Sequence, residues 1–399
     1  MLKKLSKVRL ADIGHVFMFL AAIIPALIMK RSRRALWLIC EYGCEARDNG
    51  YSFYKYLRSA HPEVDAVYAI DKRSNERGRV ESLGEVINYG SLRHWVYYLA
   101  AQVNISSQKG GKPNAAVCYL LEVVLGILKN KRVFLQHGVT KDDLPFLHYN
   151  AAKLSMFCCA ALPEYEFVKR VFEYPEGVVR YTGFCRFDDL HSLRADNKLL
   201  IIMPTWRAWL YDVRTDAESF AESEYFKRWS ELLMHARFAE LLRRHELRAV
   251  FCPHRNIGAL GRQFTTASER VELLTWDEAD VSGLLHGAGV LITDFSSVAM
   301  DFAYMKRPLI YYQFDRDRFR EEHLPEGYFD YDRDGFGQVC TRADDVVEAL
   351  ERVLSGADER QAYLDRVDSF YTLWDDRNCE RTFEAIADML NGGKSVGVI

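Results

Sequence analysis

Short apolar runs of strand length alternate with helical stretches along this chain, and the pattern stops at a polar junction near residue 191 and then restarts. Strands are expected at 35–41, 64–70, 85–89, 103–106 and 132–136, with helical segments beginning near Tyr51 and covering 92–101 and 116–128. Alternation at this spacing implies a parallel sheet wrapped by helices. After the polar run 191–198, strands follow at 199–203, 247–252, 271–275, 290–293 and 308–312. A long helical region covers 216–246, and closing helices cover 343–354 and 362–391. The expected class is α/β: two doubly wound, Rossmann-like domains facing a central cleft, preceded by an apolar helix. Ligands bind such sheets at the carboxyl ends of the strands, so chemistry is expected there. The expected division is a membrane-association segment at 1–34, an acceptor-side domain at 35–192, a nucleotide-donor domain at 193–375, a closing helix at 376–391 and a tail at 392–399.

A chain of 399 residues suits two such domains, and its 49% hydrophobic content excludes a disordered or coiled-coil chain. A net charge of −3 speaks against a general nucleic-acid binder. That total hides an asymmetry. Residues 1–34 hold eight basic residues (Lys3, Lys4, Lys7, Arg9, Lys30, Arg31, Arg33, Arg34) against Asp12, a charge of +7, which leaves −10 for the rest. Between the basic clusters, residues 13–29 are apolar apart from His15 and are interrupted by Pro25. Cations on both flanks suit a helix lying in, or dipping into, the anionic cytoplasmic face of a membrane. A first helix buried in the fold and a true span are the alternatives. The nine cysteines are scattered and unpaired in spacing, which suits a reduced, cytoplasmic body.

Four strand ends carry concentrated polar groups. Phe134-Leu-Gln runs into His137-Gly138-Val139-Thr140-Lys141, where a glycine admits close backbone approach and an imidazole can act as a general base. A histidine bonding a turn is the plain alternative. Ile201-Ile-Met runs into Pro204-Thr205-Trp206-Arg207, and Val250-Phe-Cys252 into Pro253-His254-Arg255. Both offer donors suited to phosphate oxygens. The fourth end, Thr293-Asp294-Phe295-Ser296-Ser297, opens a helix whose N-terminus could receive a phosphate, with Ser296 or Ser297 as cap and Asp301 one turn in. An ordinary serine-capped helix is the alternative. The Asp-Arg-Asp triplets at 315–317 and 332–334 are expected in solvated loops, and no obligatory metal or other cofactor is expected.

In this order, the His-Gly, Pro-Thr-Trp-Arg, Pro-His-Arg and Thr-Asp-Phe-Ser-Ser-x-x-x-Asp segments resemble the CDP-glycerol glycerophosphotransferase family of teichoic acid primases and polymerases. The likeness includes Ala46-Arg-Asp-Asn-Gly-Tyr-Ser-Phe near the start and Tyr181-Thr-Gly-Phe-Cys-Arg-Phe-Asp188 before the junction, and so covers roughly residues 36–390. It implies a GT-B-type fold that transfers a polyol phosphate from a CDP-linked donor to an acceptor hydroxyl and releases CMP. On that resemblance His137 is the catalytic base and His254 a second essential histidine. Gly138, Val139, Thr140, Lys141, Arg186, Thr205, Trp206, Cys252, Pro253, Ser296, Ser297 and Asp301 fall where donor-binding residues are expected. Arg207 joins them on charge grounds. The sequence departs from the family around Val139–Asp142 and at Cys185, which leaves acceptor choice open.

The implied protein is a membrane-associated transferase using CDP-glycerol and a lipid-linked or polymeric acceptor, with no nucleic-acid partner, in teichoic-acid-like or capsular polymer synthesis. A CDP-ribitol or nucleotide-sugar transferase of the same fold is the near alternative. A non-catalytic, membrane-attached binding scaffold is the distant one. The oligomeric state is not legible.

Overall fold

A computed structural model describes residues 10–109, 111–211, 216–322, 327–357 and 360–392. The first basic cluster and the tail at 393–399 lie outside the described residues. Two compact units emerge. One comprises the chain up to Val139, Pro145–Asp189 and the chain from Asp375. The other comprises Thr140–Leu144 and Leu190–Trp374.

The first unit holds seven parallel strands: β1 (Trp37–Cys40), β2 (Ala66–Ile70), β3 (Val86–Asn88), β4 (Val103–Ser106), β5 (Lys131–Phe134), β6 (Met156–Cys159) and β7 (Val179–Tyr181). They lie in the order β3-β2-β1-β4-β5-β6-β7. β1, β2 and β6 are buried at every position, as expected of strands covered on both faces. That burial explains why they read as unbroken apolar runs. β6 and β7 were not expected, because Met156-Phe-Cys-Cys and Val179-Arg-Tyr are too short to show a period.

The second unit holds β8 (Asp196–Met203), β9 (Arg248–Phe251), β10 (Val271–Leu273), β11 (Ala288–Thr293), β12 (Leu309–Tyr312) and β13 (Gln338–Cys340), in the order β10-β9-β8-β11-β12-β13. All the pairings are parallel. The helical region expected over 216–246 is three helices, Ala217–Glu222, Glu224–Leu233 and Ala236–Arg244. Ser223 and His235 divide it, because each side chain accepts a backbone N–H of the following helix and starts it afresh. The closing segment 362–391 is also divided, into Arg360–Phe370 in the second unit and Asn378–Leu390 in the first. Asp188 fixes the second of these by accepting from the backbone N–H groups of Asn378 and Cys379 at 2.7 and 2.9 Å. Gly183 makes room for that junction. Its φ is +78°, and a Cβ there would lie 1.6 Å from Asn378 Oδ1.

The apolar segment forms a helix over Leu10–Ser32 that packs on helix Leu92–Ala100. Ala22 and Ala26 are buried, and His15 Nδ1 accepts from Trp95 Nε1 at 3.1 Å. The other face leaves Phe17, Leu20, Ile24, Leu27 and Ile28 more than half exposed.

Candidate active site

In the second unit four neighbouring strands, β9, β8, β11 and β12, end side by side. β8 leads into Pro204–Arg207, β9 into Cys252–His254 and β11 into Asp294–Ser297. Asp294 binds the first and third of these loops together. Its carboxylate accepts the Thr205 N–H at 2.9 and 3.1 Å and the Phe295 N–H at 2.7 Å. His254 joins the second, donating its backbone N–H to the Pro204 carbonyl at 3.1 Å.

Arg207, expected as a direct phosphate ligand, is fully buried. Its Nη1 meets Asp294 at 2.9 Å, while Nε and Nη2 form a two-pronged pair with Asp315 at 2.7 and 2.9 Å. Phe295 and Phe319 rings flank the guanidinium at 4.9 and 5.2 Å. Burial alone would lower its pKa, but the two carboxylates outweigh that and raise it. Burial pushes the Asp294 carboxyl up, opposed by Arg207 and by Thr205. The Arg207 charge is thus neutralised inside the protein, and the side chain sets the shape of the loops. Asp315 corrects a second expectation, since it is buried against Arg207 rather than solvated. The rest of that triplet opens helix Arg316–Glu322, and Asp332 to Asp334 lie in helix Tyr331–Asp334.

His254 is half-buried, and its Nδ1 accepts the Asn256 N–H at 3.2 Å. In the neutral ring that bond places the proton on Nε2, leaving an N–H to donate. Cys252 is a packed thiol, its pKa pushed up to about 11 by burial. Trp206 packs against the core of this unit. Ser297 occupies the helix start without a side-chain capping bond and is exposed, so of the two serines expected as cap it is not the one that bonds. Ser296 Oγ instead accepts the Val298 N–H at 3.4 Å. Asp301 is half-buried in helix Val298–Tyr304. The Thr205 hydroxyl is enclosed yet has no hydrogen-bond partner among the described residues, an uncommon state for a buried polar atom.

In the first unit β5 ends at Phe134, and His137 stands exposed three residues on. Gln136, just before it, is left-handed at φ +61°, which is costly for a residue other than glycine. Its surroundings hold it there. Gln136 Nε2 donates to the Cys158 carbonyl at 2.6 Å and to Glu164 at 3.0 Å, and its own carbonyl accepts from Asn49 Nδ2 at 2.7 Å. Asn49 Oδ1 in turn accepts the Arg186 N–H at 3.0 Å, and the Arg186 guanidinium pairs with Asp48 at 2.9 Å. Beneath Asn49, the buried Glu41 accepts N–H groups of Arg47, Asp48 and Tyr51 at 3.1, 3.1 and 2.6 Å.

Gly138 is half-buried and Val139 buried in the first unit, whereas Thr140 and Lys141 pack with the second. The Lys141 ammonium, expected to serve a donor, is buried in an ion pair with Asp142, which also accepts from Arg320 at 3.2 Å. Among the described residues, no three His, Cys, Asp or Glu side chains group as metal ligands.

The model of the CDP-glycerol:poly(glycerophosphate) glycerophosphotransferase family matches residues 23–388. The chain belongs to this family. It is similar to the minor teichoic acid biosynthesis protein GgaB of Bacillus subtilis, 30% identical over 90% of this chain and 40% of that protein. It also resembles the teichoic acid poly(glycerol phosphate) polymerase of the same organism, at 23% identity over 79% of this chain and 43% of the relative. The chain therefore spans about two fifths of the length of these curated relatives. Its fold is that of the wall teichoic acid polymerase TagF, with a TM-score of 0.65 at 14% identity, covering 96% of both chains. The fold is thus of the GT-B type.

Within this glycerophosphotransferase-family chain, the sequence picks out the groups that stand at the loop tips, His137, His254 and Ser297. It misses those that hold the tips in place, Glu41, Gln136, Glu164 and Asp315. A polar residue closing an apolar run just before a histidine, as Gln136 does between Leu135 and His137, was an available signal.

Proposed function

We propose that the chain is a membrane-associated transferase that moves glycerol phosphate from CDP-glycerol to an acceptor hydroxyl and releases CMP, in teichoic-acid-like or capsular polymer synthesis. The observation that carries this reading is that each unit presents a histidine at a strand end, beside Gln136 held by buried hydrogen bonds in the first unit and with its own N–H on the Pro204 carbonyl in the second. The acceptor oxygen attacks the β-phosphorus, forming one P–O bond as the P–O bond to CMP breaks. Neutral His137 takes the hydroxyl proton, and the Nε2–H of His254 steadies charge on the departing CMP phosphate. Thr205, whose hydroxyl has no hydrogen-bond partner among the described residues, and Ser297, which makes no capping bond, suit the donor's phosphates or glycerol. Arg207, Asp294 and Asp315 act through loop geometry.

Membrane attachment rests on helix Leu10–Ser32, whose outward apolar face is continuous and whose last turn carries Lys30 and Arg31. Its 23 residues span roughly 34 Å, long enough to lie along or cross a bilayer. Burial of Ala22 and Ala26 against the body suits a helix lying on the cytoplasmic face.

The test is CMP release from CDP-glycerol by the full chain with membranes supplying the acceptor. Activity with CDP-glycerol that falls in His137→Ala and His254→Ala supports the reading. CMP release from CDP-ribitol, or UDP release from a UDP-sugar, without CMP release from CDP-glycerol, or full activity in both variants, overturns it.

A further inference from the structure

The second unit carries a basic cavity at the end of its sheet opposite the strand-end loops described above. The cavity has a volume of about 390 Å³, within the range typical of small-molecule sites, and opens where β12 and β13 begin. Lys306, Arg307, Arg352 and Arg360 line it, and among the described residues no lining residue is acidic. Leu309 lies at this mouth, while Gln313 and Asp315 follow the far end of β12. At about 3.3 Å per residue the two ends are separated by roughly 13 Å of strand.

Arg307 is the decisive residue. It is 8% exposed, and its guanidinium donates to carbonyls: His286 and Ala288 at 2.5 and 2.9 Å from Nη1, and Leu193 at 3.1 Å from Nη2. Among the described residues no carboxylate meets it. Buried arginines ordinarily carry an anionic partner, as Arg207 does in this same unit with two. Arg360 donates to the Lys306 carbonyl at 2.8 Å, and Arg352 bonds the uncharged Gln338. Among the described residues only Lys306 has a carboxylate, Asp368 at 2.6 Å. Three guanidinium groups therefore share one concave surface without anionic partners among the described residues. The remaining wall is apolar or aromatic, with Phe336, Leu364, Val367 and the ring of Tyr363.

We infer that this cavity binds a phosphate monoester carrying an apolar or aromatic body, with the phosphate on Arg307, Arg352 and Arg360 and the body against Phe336 and Tyr363. Guanidinium groups suit that task because their planar N–H pairs match phosphate oxygens. The inference stands apart from the proposed transfer reaction, since it uses none of the residues assigned to it.

The experiment is calorimetric titration of the full chain with phenyl phosphate, with inorganic phosphate and phenol as the two half-ligands. Saturable binding of phenyl phosphate, at least tenfold tighter than either half, is the expected result. Arg352→Glu/Arg360→Glu, two exposed positions whose reversal spares the core, should weaken it at least tenfold with the unfolding midpoint unchanged. His254→Ala should leave it intact. Geranyl phosphate and CMP then distinguish sources: whichever shows a binding component lost in the double variant identifies an isoprenoid or a nucleotide ligand, and either supports the site. No saturable phenyl phosphate binding at millimolar concentration, or unchanged affinity in the double variant, overturns the inference. Equal binding of inorganic phosphate overturns the assignment of an organic body.

Discussion

The two units support their strand-end loops by different electrostatic means. In the second unit the buried carboxylates Asp294 and Asp315 share one buried cation, Arg207. In the first unit the buried Glu41 has no cation among the described residues and is met by three backbone N–H groups where helix Asn49–Ala60 begins. An ion-paired lattice is brittle to loss of one member. A carboxyl held only by backbone dipoles can take up a proton instead, and burial, followed by the nearby Asp48, pushes the Glu41 pKa up to about 8 against the pull of those N–H groups. The first design fails by mutation; the second tolerates neutral substitution and responds to pH.

The largest expected effect falls on the histidines at the loop tips. Replacing His137 or His254 by alanine should lower CMP release by about 10²- to 10⁴-fold, with folding intact by circular dichroism. A loss under tenfold in either would mean that the two units do not contribute comparable groups.

Next comes the lattice itself. Arg207→Met leaves two buried carboxylates without their cation and should cost about 3–5 kcal/mol in urea unfolding. A loss below about 1 kcal/mol would show that water reaches Asp294 and Asp315 and that the contrast between the units is false.

Glu41 gives the pH side of the comparison. A carboxyl whose folded pKa lies above its unfolded value keeps a proton in the folded state that the unfolded chain has released. Its contribution to stability is therefore full below about pH 4.5 and declines as pH rises to about 8. Unfolding curves at about pH 5 and pH 8 should differ by on the order of a few kcal/mol through this group. Glu41→Gln should flatten that difference, and an unchanged slope would remove the proton from Glu41.

The smallest effect on stability is expected at Gln136. Gln136→Gly relieves a left-handed backbone, worth about 1 kcal/mol, but loses the bonds to Cys158 and Glu164. Stability should change by no more than about 1 kcal/mol while CMP release falls, because His137 loses its fixed backbone. Full activity in this variant would show that the His137 loop needs no such anchor.

Much of this was legible beforehand, for reasons specific to each element. β1, β2 and β11 are buried on both faces, so their sequences are continuously apolar and stand out. β7 and β13 have three residues each, and nothing in Val179-Arg-Tyr or Gln338-Val-Cys marks a strand. His137 and His254 stand two residues past an apolar run, which is how strand-end groups announce themselves. Arg207 and Lys141 were misjudged because a charged residue near a strand end looks the same whether it faces a ligand or a buried carboxylate. Asp315 and Asp142 lie 108 residues from Arg207 and one from Lys141, so proximity in sequence settles neither case.

By itself, then, the chain's sequence determined a two-sheet α/β architecture, its family and the chemical groups at the strand ends, because hydrophobic period and residue type act locally. Tertiary structure decided which of those groups stay available and which are neutralised. It also placed Thr140–Leu144 with the second unit and Asn378–Leu390 with the first. The cause is that burial of a charge depends on partners brought from distant segments, and the cost of leaving one unpaired is decided only when the fold closes around it.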